Sequence, residues 1–160
     1  MLAHYRKSVC LSLFSTDLPV GHQFESTAYI YQKDREKFHL LLNLHNILPS
    51  SATVPTCKEA SSKQGLLWLE ISPYRVIMTM QRNEGSSYRH FWEAGIYGVS
   101  RYWLNGSNTL KNSTSLRLRN YTRYLKLDGC PLPTSLRIEY ELWSSKLPLG
   151  SYNLHLDMNS

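Results

Sequence analysis

The chain reads as one mainly β domain, an antiparallel sandwich or barrel of about seven strands with a single helix, and three observations point there. Apolar and polar residues alternate along most of its runs, the two-residue period of a half-buried strand. Tyrosine is abundant, 11 in 160 residues, and a flat ring with a polar tip suits a pleated surface. Short loops rich in Gly, Pro and Ser separate the runs of the C-terminal third, as in an antiparallel meander. With 42% hydrophobic and 19% charged residues the chain can bury one core and is too short for a second, so residues 1–160 are read as a single domain.

The first apolar run, Val9 to Phe14, follows a basic start, is interrupted by Ser12 and is too short for a secretory leader. No stretch approaches the roughly 20 apolar residues of a membrane span. Cys10, Cys57 and Cys130 have no CxxC or Cys/His spacing, and three cysteines cannot close a full disulfide framework. Free thiols and a reducing, cytoplasmic setting are expected. Chance predicts roughly 1.6 sequons in a chain this rich in Asn, Ser and Thr, so the three at Asn105, Asn112 and Asn120 carry little weight without a leader.

Between Gln23 and Gln32 one parity holds Phe24, Ser26, Ala28 and Ile30. Between Lys37 and His45 one parity holds Phe38, Leu40, Leu42 and Leu44. A hairpin turning at Lys33-Asp34-Arg35-Glu36 sets Ile30 beside Phe38, Ala28 beside Leu40 and Phe24 beside Leu44, with Glu25, Tyr29, His39 and His45 on the other face. A helix over 34–48, capped by Asp34, competes through Leu40, Leu41, Leu44 and Leu48, but the alternation favours strands. Residues 49–64 turn to Ser, Pro, Thr, Lys and Ala and read as a polar loop. Leu66 to Ile71 and Tyr74 to Arg82 form a second hairpin around Ser72-Pro73, where proline fixes φ and stops the ladder.

Ser87 to Leu104 is the predicted helix. Tyr88, Trp92, Ile96, Val99 and Trp103 are spaced 4, 4, 3 and 4 and make one apolar stripe. Gly95 and Gly98 oppose it, each costing about 1 kcal/mol relative to Ala in a helix interior. Residues 105–115 form a second polar loop. Three strands follow, Leu116 to Leu127, Leu136 to Trp143 and Gly150 to Met158, and their alternation predicts that Ile138, Tyr140, Leu142 and Leu154 are core.

Glycine-rich phosphate loops, HExxH, GxSxG, acidic calcium loops and paired cysteine sites are all missing, which points away from an enzyme and gives no ground for a cofactor. The six histidines, at 4, 22, 39, 45, 90 and 155, show no ligand spacing, so no metal site is expected. His39 and His45 lie six residues apart on a strand rising about 3.3 Å per residue, too far for one ion.

Three constellations can carry chemistry. If Leu127 faces Ser135 and Leu142 faces Tyr152, Arg123, Glu139 and His155 line up across three strands. The carboxylate would then raise the basicity of the imidazole. Arg137 facing Asp157 in the same register supports the plainer reading, a charge ladder. His90, Glu93, Tyr97 and Arg101 form the polar stripe of the predicted helix, either a proton-sharing His/carboxylate pair beside an anion-orienting Tyr and Arg, or a solvated face. Arg117, Arg119, Tyr121 and Arg123 share one parity of a strand, with Lys111 before it, and guanidinium groups beside a ring can neutralise phosphates and stack a base.

The segment Leu116-Arg-Leu-Arg, followed by a polar aromatic stretch in an all-strand chain of this size, is similar to lipocalin-like bilin-attachment proteins. Over those four residues the resemblance implies a barrel holding a small hydrophobic or pigment-like ligand. The net charge of +6 and the abundance of Tyr and Trp favour instead a non-catalytic binding or assembly module. Its expected partner is another protein or protein assembly, with nucleic acid as an alternative. A small enzyme using a His/carboxylate pair is the third reading.

Overall fold

Ten strands and no helix make up the computed structural model, which describes residues 3–43, 65–82, 86–105 and 113–158. The strands are β1 (Ala3–Ser15), β2 (Gly21–Gln32), β3 (Phe38–Asn43), β4 (Gly65–Ile71), β5 (Arg75–Arg82), β6 (Ser86–Glu93), β7 (Tyr97–Asn105), β8 (Ser113–Asp128), β9 (Ser135–Ser144) and β10 (Leu147–Asp157). Each pairs antiparallel with the next, and β1 also pairs with β10, closing the sheet into a barrel. The protein is therefore all-β and antiparallel, and of the two predicted architectures it adopts the barrel.

The alternation read from the sequence is the alternation between barrel interior and exterior. Ala28, Ile30, Leu40, Leu42, Leu69, Leu136, Ile138 and Leu156 are completely buried inside. Each large aliphatic side chain so placed contributes about 1.5–3 kcal/mol. The predicted core residues Ile138, Tyr140, Leu142 and Leu154 are all buried.

The predicted helix over 87–104 is instead the hairpin of β6 and β7. A spacing of four residues suits a strand as well as a helix, because it is also two β periods. Tyr88 and Trp92 do share the inner face, but the turn at Ala94–Ile96 interrupts the stripe, leaving Ile96 exposed and Val99 and Trp103 on the outside. Gly95 makes the turn with φ +79°. At Gly98 a side chain is excluded, since a Cβ would lie 2.2 Å from the Phe91 carbonyl oxygen. β1 is the other strand beyond the expected seven.

Three registers differ from expectation, the first two by two residues, which leaves each face in place, and the third by one, which turns β8 over beyond Arg123. In the first hairpin Ile30 faces Leu40 and Ala28 faces Leu42, two residues from the predicted pairing. The turn is one residue longer than expected, and the Asp34 carboxylate accepts from the backbone N–H groups of Glu36 and Lys37. Between β9 and β10 a two-residue turn, with Ser145 at φ 55°, joins Ser144 to its partner Leu147. A bulge between Pro148 and Gly150 then brings Leu142 opposite Gly150 and not Tyr152. Between β8 and β9 the register shifts between Thr122 and Tyr124, so Arg123 is an extra residue with no direct partner.

The loop expected at 49–64 lies outside the described residues. Of the loop expected at 105–115, residues 106–112 do too, while Asn105 ends β7 and residues 113–115 begin β8.

Candidate binding surface

The bulge at Arg123 dissolves the first constellation. Arg123 pairs with Glu141 at 3.6 Å, Glu139 pairs with Arg137 at 3.4 Å, and His155 stands between Arg137 and Ser12. Arg137 and Asp157 do not face each other; Asp157 lies opposite Ser135. Glu139 lies opposite Asn153, so the expected facing of Glu139 and His155 does not form.

The second constellation is divided between the two faces of the barrel wall. His90 points inward and is 4% exposed, while Glu93 is outside, 3.6 Å from Arg75. Inside, His90 Nδ1 lies 2.7 Å from Ser100 Oγ, and Asn120 Nδ2 donates to Ser100 Oγ at 2.9 Å. The Ser100 hydroxyl is thus free to donate to the neutral ring. Asn120 Nδ2 also donates to the Phe91 carbonyl at 3.0 Å, reaching it across the space that Gly98 leaves open. The ring stacks on Trp92 at 4.8 Å, and Tyr102 closes over its edge. Burial pushes the His90 pKa down to about 3, so at neutral pH it is a weak base without a carboxylate behind it. Nearby, Trp92 Nε1, Asn120 Oδ1 and Thr122 Oγ1 are buried with no hydrogen-bond partner among the described residues. The sequon at Asn120 therefore sits in the barrel interior, closed to modification in the folded chain.

The remaining residues of the second and third constellations meet on the outside. Tyr97 faces Tyr121, their ring centroids 5.0 Å apart, and Arg101 faces Arg117. Arg119, next on β8, lies over the Tyr97 ring at 5.2 Å and donates to the Ser145 carbonyl at 2.8 Å. Arg101 lies over Trp103 at 5.8 Å. Arg89, which the helical reading passed over, faces Arg101 from β6, so Arg89, Arg101 and Arg117 form one row across three strands. Strand parity would have found Arg89, since it alternates outward with the inward Tyr88 and His90. None of these three, nor Arg119, takes part in an ion pair among the described residues. Arg123 is set apart at the margin by its pairing with Glu141, which is also the residue opposite Tyr121.

A separate surface pocket of about 290 Å³ lies on β3 to β5, lined by Lys37, His39, Glu70, Tyr74 and Arg75 among others. Its charges are mixed, with His39 Nε2 4.0 Å from Glu70. Partial burial lowers the His39 pKa, against the opposing pull of Glu70. No group of His, Cys, Asp and Glu side chains able to hold a metal ion occurs among the described residues.

No family model matches the sequence, and no curated protein matches it. Among solved structures the chain is similar to the ywiB protein from Bacillus subtilis, at a TM-score of 0.59 and 12% identity, over 98% of this chain and 94% of that one. At that identity the likeness establishes a shared fold and nothing about activity.

Proposed function

We propose that the protein is a non-catalytic binding module that docks an anionic macromolecule on the outer face of β6 to β8. The observation that carries this reading is the row Arg89, Arg101 and Arg117, in which like charges face each other twice across neighbouring strands. Like charges directly opposite destabilise a sheet, and the row has no described carboxylate partner to offset that. An anionic partner would supply the missing charge. Tyr97, 58% exposed, adds the rigid aromatic area common at interfaces. A cytoplasmic setting fits the unpaired thiols of Cys10 and Cys130. No helix of the described residues is long and apolar enough to cross a membrane.

Retention on a heparin matrix, a generic polyanion, tests the reading. The double variant Arg89→Glu/Arg117→Glu should elute at a much lower salt concentration than the double variant Lys33→Glu/Lys146→Glu, which makes the same change in net charge on exposed turns. Equal elution of the two would reduce the row to a share of overall charge and end the proposal.

The ligand-barrel reading draws on one observation. An aromatic cluster runs from the buried Trp92 and Tyr140 to the partly exposed Tyr152, with Tyr140 and Tyr152 stacked at 5.4 Å. Native mass spectrometry of the purified chain would detect a retained small molecule, and a bare mass would count against this reading.

A further inference from the structure

The arginine row does not stop at β6. Arg89 faces Thr79 on β5, and Thr79 faces Trp68 on β4. Arg117, Arg101, Arg89, Thr79 and Trp68 therefore lie on one line across five successive strands, roughly 19 Å long at about 4.8 Å per step. Trp68 is 46% exposed although it sits between the buried Leu67 and Leu69 on its own strand. We propose that this line is a track for single-stranded nucleic acid, with phosphates on the three arginines and a base stacked on the Trp68 indole. The inference rests on the reading of the β6 to β8 face as a dock for an anionic macromolecule, and names its partner.

Three features favour this partner. Guanidinium groups along a path neutralise successive phosphates, and an exposed aromatic face in line with them offers a stacking platform that any base can use. The order of residues matters as well. A nucleic-acid strand presents successive phosphates with bases beside them, and here three consecutive guanidinium groups are followed on the same line by an exposed ring. Curvature gives the third argument. Ten strands close the circle, so each step along the line turns the surface by about 36°, and four steps turn it well past a right angle. A stiff duplex meets such a convex wall over one or two strands, while a flexible single strand can follow it.

The test uses the full chain and a fluorescein-labelled oligothymidylate of about 12 nucleotides, within the usual site size of a small single-strand binder. Anisotropy should report binding that weakens with salt at a log–log slope near −2, about −0.7 for each of three phosphates. Tryptophan fluorescence should be quenched in the same titration. Arg89→Glu/Arg101→Glu should weaken binding more than tenfold and flatten the slope by about 1.4. Trp68→Ala should weaken it about tenfold and Trp68→Phe much less, because phenylalanine keeps a stacking face. Thermal unfolding of each variant would separate these effects from loss of fold.

Binding that depends on the arginines but is indifferent to Trp68→Ala would overturn the track. So would equal or tighter binding of the corresponding duplex. No oligonucleotide binding at low salt, together with arginine-dependent binding of polyglutamate, would replace nucleic acid by an acidic protein and leave the docking face standing. Failure of both polyanions would remove the docking face as well.

Discussion

Around the barrel, the buried side chains of β2 to β5 are aliphatic residues, Met and Phe, among them Ile30, Leu40, Leu69 and Met78. Those of β6 to β8 include His90, Ser100, Asn120 and Thr122, buried just as deeply. The outer faces differ too. On β5 and β6, Arg75 lies near Glu93, so charge meets opposite charge. On β6 to β8 three arginines confront one another. Local rules that favour stability are kept in the first wall and broken on both sides of the second, and such breaches are expected where a protein does its work.

The largest expected effect bears on the interior of the polar wall. The His90 pKa is lowered by burial to about 3 from its ordinary 6.5, so between those values the unfolded chain holds a proton that the folded chain does not. Stability from this group is complete above pH 6.5 and is lost as pH falls towards 3, to a total of roughly 5 kcal/mol. Denaturant unfolding at a series of pH values should show that loss, and His90→Leu should flatten the curve between about pH 6 and pH 4. An unchanged acid limb would mean that the polar wall has no such pH sensitivity.

The aliphatic wall should respond to volume and not to pH. Leu40→Ala should cost about 2–5 kcal/mol in the same experiment, with an acid limb parallel to that of the unmodified chain. A cost below 1 kcal/mol would place Leu40 in a loosely packed region and weaken the contrast.

The smallest effect is on the outer row, and its sign is informative. Arg101→Glu converts two like-charge pairs into two opposite-charge pairs, worth about 0.2–1 kcal/mol each. The variant should melt slightly higher while losing polyanion binding. A lower melting temperature would show that the row is not under repulsion in the free protein.

Much of this was legible in the residues. Period-two alternation identified β2, β3, β9 and β10 with the side of each that is buried, and β4, β5 and β8 as strands. β1 carries the same mark, with Val9, Leu11 and Leu13 alternating with Ser8, Cys10 and Ser12. The bulge in β8 also left a mark. Leu116 and Leu118 have one parity and Leu125 and Leu127 the other, and an inserted residue such as Arg123 reverses which parity faces inward. Arg101 and Arg117 were each singled out as binding candidates but on separate elements, one on a helix, so their meeting was out of reach.

What the sequence determined by itself is the strand character of those seven segments and, where no bulge interrupts the alternation, the face turned to the core, because both follow from a period local to a few residues. The tertiary structure alone decided the register, the closure of β1 on β10 and the alignment of the arginines with Trp68. A slip of two residues keeps every side chain on its own face, so alternation cannot distinguish one pairing from the next. Turn length and bulges choose between them, and closure joins the two ends of the chain through contacts that no local pattern encodes.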